Sequence, residues 1–281
     1  VDFVKMHGLG NDFIVIDGRR YSAAWSQLAQ AMCDRHFGVG ADGILVVLDA
    51  EGANARMRIF NPDGSEAEMC GNGIRCFAKY LYERGIARGR EIRIATGAGV
   101  LPVTLDIDDV DRVRQVTVGM GVPRLDPREI PVLVEGEGAV DVPLRLADGT
   151  ELRFTAVSMG NPHAVVFLDE PVERFPLERI GPEVEHHALF PQRVNFEIAN
   201  VLDRERITLR VWERGAGLTL ACGTGACATV VAARLHDLVG EEVAVRVPGG
   251  TLRIAWDGKG EVWMTGPAVE VFQGIWLHGE L

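Results

Sequence analysis

Residues 220–236 read LACGTGACATVVAARLH, a glycine loop running into a helix with Cys222 directly before Gly223, Thr224 and Gly225. Residues 68–85, EMCGNGIRCFAKYLYERG, repeat the arrangement with Cys70 before Gly71, Asn72 and Gly73. Working outward from the two cysteines, other residues match as well. Arg58 and Phe60 of RMRIF pair with Arg210 and Trp212 of TLRVW, Gly97 with Gly249, and FIVID with VVFLD, all at an offset of 152. The stretches VKMHGLGND and VSMGNPH join the scheme with one short gap after Met6 and Met159. A constant offset over so many positions points to internal duplication.

Each half reads mostly as strands: FIVID, ILVVL, RMRIF, EIRIAT and VRQVTVGM in the first, and HAVVFLD, NFEIANV, ITLRVW, VAVRV, TLRIAW and EVWMTG in the second. Each has one strong helix, following its cysteine. The second, from about Thr224 to His236, is small and apolar nearly all round and belongs inside a domain, wrapped by sheet. Further helices are expected at Ser26–Asp34 and Leu177–His187. Strands do not alternate regularly with helices, so a doubly wound parallel sheet is not indicated. The stretch EGEGAVDVPLRLADGTE reads as a turn-rich connection between the halves.

The chain has 281 residues, 47% of them hydrophobic, enough for one large domain or two of ordinary size. No apolar run reaches the roughly 18 residues of a membrane span. The opening VDFVKMHGLG lacks the order of a signal peptide, and Val1 suggests an alternative start codon or a trimmed end. A net charge of −11 argues against nonspecific nucleic-acid binding, though not against an anionic substrate. Five cysteines with no CxxC pair speak against a structural zinc site. The expectation is a cytoplasmic protein with no nucleic-acid or membrane partner.

A helix N-terminus exposes backbone N–H groups and partial positive charge, so a cysteine there is expected to be more acidic than usual. The glycines let backbone N–H groups approach a carboxylate or phosphate. If the halves pack face to face, one thiol would meet each face of a planar carbanion. Cys33, Cys76 and Cys227 read instead as small buried hydrophobes. GTGACA also fits a nucleotide-binding G-x-G-x-x-A with Glu241 or Glu242 downstream, but the strand–helix–strand context is not apparent. A redox pair in a non-enzymatic amino-acid-binding protein is a third reading.

KMHGLGNDFIVIDG, NPDGSEAEMCGNGIRCFA, VSMGNPH and VWERGAGLTLACGTGACA together resemble diaminopimelate epimerase, in the family's order and over nearly the whole chain. The resemblance implies an α+β fold of two similar domains, each a mostly antiparallel sheet wrapped around a central helix. Residues 1–118 with a returning 268–281 would form one domain and 119–267 the other. It implies conversion of LL-diaminopimelate to the meso form for lysine and peptidoglycan synthesis, by a homodimer using no cofactor and no metal. It assigns the acid–base pair to Cys70 and Cys222. Substrate contacts fall to Asn11, Asn61, Gly71, Asn72, Asn161, Asn195, Glu213, Arg214, Gly223 and Thr224, and His163 and Glu213 would tune the thiols.

On the chemistry alone, Arg214 offers a fork for a distal carboxylate and Glu213 an acceptor for a distal ammonium. Asn11 and Asn61 could equally form turns, Glu213 and Arg214 a surface pair, and His163 a packed ring. Proline and hydroxyproline racemases share the two-thiol logic but lack this arrangement of GNDF and ERGAG. Two departures from the family are visible: Gly43 in GADGIL, where some members have a substrate-contacting Gln, and Leu218, where Glu is common.

Overall fold

The computed structural model describes residues 1–136 and 138–277. The chain forms two compact units, Val1–Gly119 with the segment from Thr265 onward, and Met120–Met264. Of the expected returning segment 268–281, residues 278–281 lie outside the described residues.

Unit 1 contains β1 (Asp2–Gly8), β2 (Asn11–Asp17), α1 (Trp25–Cys33), β3 (Gly43–Leu48), β4 (Ala55–Phe60), β5 (Glu66–Ala67), α2 (Gly71–Glu83), β6 (Glu91–Thr96), β7 (Gly99–Ile107) and β8 (Val113–Gly119). Unit 2 contains β9 (Val142–Arg145), β10 (Glu151–Ser158), β11 (Pro162–Phe167), α3 (Leu177–Glu185), β12 (Asn195–Asp203), β13 (Arg206–Glu213), β14 (Gly217–Leu218), α4 (Gly223–Leu235), β15 (Glu242–Val247) and β16 (Gly250–Ala255). β17 (Trp263–Gly266) spans the boundary, and β18 (Val269–Ile275) pairs antiparallel with β1 in unit 1.

The pairing is mostly antiparallel, with parallel neighbours at β2–β3 and β4–β6 in unit 1 and at β11–β12 and β13–β15 in unit 2. Both units therefore place parallel pairs at the same two points, and each pair is bridged by a helix. α1 and α3 serve the first crossover, α2 and α4 the second. The fold is α+β, two similar units each built of sheet and a buried helix. α4 is buried from Gly223 to Ala233 except at Thr224, as its all-round apolar surface requires.

Side chains alternate across a strand, so each sheet has two working faces. In unit 1, Ile14, Ile16, Ile44 and Val46 pack with Ala29, Met32 and Cys33 of α1. Phe13 and Leu45, one residue out of phase, point to the first turn of α2, where a side chain on Gly73 would meet them at 3.5 and 3.2 Å. In unit 2, Ala164, Val166, Phe196 and Ile198 pack with Leu177, Ile180 and Val184 of α3.

Three sequence readings need correction. EGEGAVDVPLRLADGTE is no connection between halves: its described part contains β9 and enters β10, paired from Glu151↔Arg145 to Phe154↔Val142. Leu144 and Leu146 are buried, and the intervening ADG makes the turn, with Gly149 at φ +89°. FIVID and VVFLD are not structural equivalents at an offset of 152. β2 pairs Val15 with Leu45, whereas β11 pairs Val165 with Glu197. Leu45 and Glu197 differ by 152 but Val15 and Val165 by 150, so the short gap shifts the whole strand and makes Asn161 the counterpart of Asn11. The strand–helix–strand crossover judged absent around GTGACA is present as β13–α4–β15. Glu242, however, opens β15 and is exposed, whereas a ribose-binding acid lies near the far end of its strand.

Candidate active site

Cys70 and Cys222 are the N-cap residues of α2 and α4, both with extended backbone. Each sulfur accepts from the backbone N–H three residues on, Gly73 at 3.4 Å and Gly225 at 3.3 Å. Ser, Thr, Asp or Asn usually does this job, satisfying one of the donors that a helix start leaves unpaired. Among the described residues, none of the five cysteines is in a disulfide. Burial pushes Cys33 and Cys76 up to about 12, which suits packing rather than chemistry.

Around Cys70, the thiol donates to Asn11 Oδ1 at 3.6 Å, and Asn72 Nδ2 donates to the same oxygen at 3.2 Å. Asn11 Nδ2 donates to Asp42 Oδ2 at 2.7 Å, which fixes the amide with its oxygen toward the sulfur. Asp42 is joined to Asp12 through Arg35, and Lys5 also bonds Asp12. Arg75, fully buried, donates to Asn72 Oδ1 and Gly71 O at 2.9 Å each and to Pro267 O at 3.2 Å. Asp42 and Arg75 escaped sequence reasoning: Asp42 sits in a polar loop, and Arg75 looks like a charge on a helix surface. Asn61 lies one residue past β4, in a turn closed on Ser65: its N–H reaches Ser65 O at 2.8 Å and its Nδ2 reaches Ser65 Oγ at 2.9 Å.

Around Cys222, the sulfur lies 3.5 Å from Thr224 Oγ1. Asn161 Nδ2 donates to that hydroxyl at 3.3 Å, and Asn161 Oδ1 meets His163 Nε2 at 3.0 Å. Asn195, nearly buried at the start of β12, donates to Pro162 O and accepts from the Arg214 N–H, both at 2.9 Å. Glu213 ends β13. Its Oε1 accepts from Thr219 Oγ1 at 2.5 Å. Arg214 is exposed and gives Nη1 to Gln192 O at 3.0 Å, so it does not pair with Glu213. Gly223 opens α4 as Gly71 opens α2.

The electrostatics of Cys222 run against the expectation of an acidic thiol. Burial raises it well above its ordinary value of 9.0, and the Glu213 and Glu197 carboxyls add to this. The bonds from Thr224 and the Gly225 N–H oppose the rise without cancelling it. Burial likewise raises Glu213. Glu197 is the residue the sequence did not disclose: within NFEIANV it reads as the polar face of a strand, yet it is fully buried.

The two departures find local explanations. A Cβ at Gly43 would lie 2.8 Å from Phe60 O, so β3 and β4 approach too closely there for a side chain without a shift. Leu218 sits in β14, exposed and opposite Trp212. Among the described residues no helix is long and apolar enough to cross a membrane, and none of the His, Cys, Asp and Glu side chains gather in threes as a metal set.

A family model described as diaminopimelate epimerase matches residues 3–125 and 155–271. The chain is 50% identical over 285 residues to a diaminopimelate epimerase of Desulfitobacterium hafniense (strain DSM 10664 / DCB-2), covering 100% of both. It is 50% identical over 275 residues to one of Moorella thermoacetica (strain ATCC 39073 / JCM 9320), covering 97% of this chain and 98% of the relative. Among solved structures, a hydroxyproline epimerase from Agrobacterium vitis with bound trans-4-OH-L-proline superposes with a TM-score of 0.73 at 15% identity, covering 97% and 91% of the two chains. A Bacillus anthracis phenazine biosynthesis protein of the PhzF family gives 0.70 at 18%, covering 99% of both. At these identities the structural likenesses speak for the fold alone.

Proposed function

The chain belongs to the diaminopimelate epimerase family, and from that premise we propose that it interconverts LL- and meso-diaminopimelate with Cys70 and Cys222 as the acid–base pair. The observation that carries this reading is the doubled cap: two cysteines in the same local geometry, each holding a backbone N–H through sulfur and each beside an amide or hydroxyl group. A packing cysteine needs none of these bonds.

The chemistry follows from the groups present. One thiolate takes the α-proton, the C–H electron pair passes into the adjacent carboxylate, and the other cysteine gives its proton to the opposite face of the carbon. The two sulfurs exchange charge states in doing so. Backbone N–H groups at the starts of α2 and α4 stabilise the enediolate-like charge that develops. Burial and the two carboxyls favour the protonated form of Cys222.

Asn11, Asn72 and Gly71 serve the Cys70 side; Asn161, Asn195, Gly223 and Thr224 serve the Cys222 side. Their bonds fix the orientation of each amide, so substrate stereochemistry is read by oriented donors and acceptors. Glu213, close enough to Cys222 for its carboxyl to disfavour the thiolate, fits the ammonium of the reacting centre better than a distal one. Arg214 remains the fork for the distal carboxylate. Asn61 contributes from the end of β4, the place Glu213 holds on β13. His163 acts on Cys222 through Asn161 and Thr224 rather than by touching it.

The test is to incubate LL-diaminopimelate with the chain in D2O, following α-hydrogen by NMR and the isomers by chiral chromatography. Formation of meso isomer with solvent deuterium at the inverted carbon is expected. Binding without α-hydrogen exchange would reduce the chain to an amino-acid-binding protein.

A further inference from the structure

Beneath the first turn of α4 lies a pair of ionisable side chains with no solvent exposure. His163 on β11 and Glu197 on β12 meet at 2.7 Å, Nδ1 to Oε1. A Cβ built on Gly225 would stand 2.7 Å from Glu197 Oε1 and 3.3 Å from the Cys222 sulfur, which places the carboxyl directly under the helix start. Among the described residues, Glu197 Oε2 is buried with no hydrogen-bond partner.

Unit 1 fills the same places differently. The register of β2 on β3 and of β11 on β12 makes Phe13 the counterpart of His163 and Leu45 that of Glu197. Phe13 and Leu45 pack under Gly73 as ordinary apolar contacts. The duplicated frame thus accepts a hydrocarbon pair there, and unit 2 carries a proton-sharing pair with one orphaned oxygen. Packing alone does not call for that exchange, since an unsatisfied buried carboxyl oxygen is destabilising.

A hydrogen-bond chain leads from this pair to the thiol. Glu197 Oε1 meets His163 Nδ1, His163 Nε2 meets Asn161 Oδ1 at 3.0 Å, Asn161 Nδ2 donates to Thr224 Oγ1 at 3.3 Å, and Thr224 Oγ1 lies 3.5 Å from Cys222 Sγ. Because Asn161 donates to Thr224, its oxygen faces the ring, so His163 Nε2 carries the hydrogen. The 2.7 Å contact between Nδ1 and Glu197 Oε1 places one hydrogen between them.

We propose that Glu197 is a positioning residue for Cys222: by holding the His163 ring it orders Asn161 and Thr224 against the sulfur, from places that Phe13 and Leu45 fill in unit 1. The proposal rests on the reading of Cys222 as a reacting thiol and adds to it an inequivalence between the two thiols. The groups facing Cys222 are Glu197 on β12, Glu213 on β13 and Thr224 on α4, with His163 on β11 behind Asn161.

Two variants and one control separate this role from packing. Glu197→Gln keeps the shape of the side chain but not its charge. The double variant His163→Phe with Glu197→Leu installs the pair of unit 1. The ionised fraction of Cys222 is read without substrate, as ultraviolet thiolate absorbance against pH minus that of the Cys222→Ala control. With the Glu197 carboxyl removed, that fraction should rise about tenfold at any pH below its midpoint in both variants. The corresponding Cys70 curve, taken against Cys70→Ala, should not move. With substrate, Glu197→Gln should lower kcat at least about tenfold while KM changes less than about threefold. Folded Glu197→Gln protein with both the Cys222 curve and the kcat of the parent overturns the proposal, whatever the double variant does. A shifted curve in a chain that does not turn over diaminopimelate would keep the positioning role and reject the activity instead.

Discussion

Adding one methyl group at equivalent points in the two units should have opposite consequences. Gly73 and Gly225 are the third residues of α2 and α4, and neither has a left-handed backbone. Alanine there gains about 1 kcal/mol of helix propensity. At Gly73 the new Cβ meets Leu45 Cδ2 at 3.2 Å, Cys70 Cβ at 3.4 Å and Phe13 Cζ at 3.5 Å. Its tightest neighbour is the end of a side chain that can yield a few tenths of an ångström. At Gly225 it meets Glu197 Oε1 at 2.7 Å, an atom already tied to His163 in a fully buried site. Overpacking of that kind costs about 1–3 kcal/mol, and disturbing the buried pair adds to it. Gly73→Ala should therefore lie within about 0.5 kcal/mol of the parent chain, on the stabilising side where Leu45 yields fully. Gly225→Ala should lose about 1–2 kcal/mol net. Urea unfolding midpoints, with circular dichroism confirming native structure beforehand, provide the comparison. Equal shifts for the two variants, or a more stable Gly225→Ala, would refute the placement of Glu197 beneath the helix start.

Other outcomes follow from the same geometry. Replacing either Cys70 or Cys222 by Ala should abolish epimerisation, whereas Cys33→Ala should retain it; turnover of racemic and resolved substrate decides, and near-normal rates in either active-site variant would sink the two-thiol scheme. Stability should fall as pH rises above the ordinary thiol value of 9.0, because unfolded Cys76 ionises there while the folded thiol, pushed up to about 12, does not. That contribution is fully present below 9.0 and declines by about 1.4 kcal/mol per pH unit up to the folded value. Cys76→Ala should flatten the slope of unfolding free energy against pH in that range, and an identical slope would count against it. Arg75→Met should destabilise unit 1 by about 3 kcal/mol or more, since it strips partners from Asn72 Oδ1, Gly71 O and Pro267 O; thermal unfolding within 1 °C or so of the parent would contradict that.

Much of the fold was legible because duplication wrote it twice. The helices after Cys70 and Cys222 announced themselves by a glycine loop leading into an apolar run, and both cysteines prove to be caps. What escaped notice did so for physical reasons. β7 carries Pro102, which ordinarily argues against a strand interior. β9 is only four residues long, and its alternation was masked by the flanking turns. The two-residue slip of β2 against β11 was hidden by the likeness of FIVID to VVFLD, although the spacing of Asn11 and Asn161 carried the right offset. In the site, cysteines, asparagines and His163 were named from motif and resemblance. Glu197 was not, because a glutamate in an alternating strand is usually solvated, and only the register of β11 on β12 shows it turned inward. The expected acidity of Cys222 failed for a related reason: the helix start was visible in sequence, but the burial and the two carboxyls that outweigh it were not.

The central claim is that each face of the substrate carbon has its own thiol, and the origin of the incoming hydrogen tests it most directly. A donor thiol exchanges with solvent before substrate binds, so in D2O the first product should carry deuterium at the inverted carbon while remaining substrate stays unlabelled. The measurement is mass spectrometry of separated LL and meso isomers at low conversion, in both directions. Labelled product both ways is what two separate groups predict. Product that retains substrate-derived hydrogen in either direction would mean that one base shuttles a single proton between faces, and the assignment of Cys70 and Cys222 as distinct acid and base would be wrong.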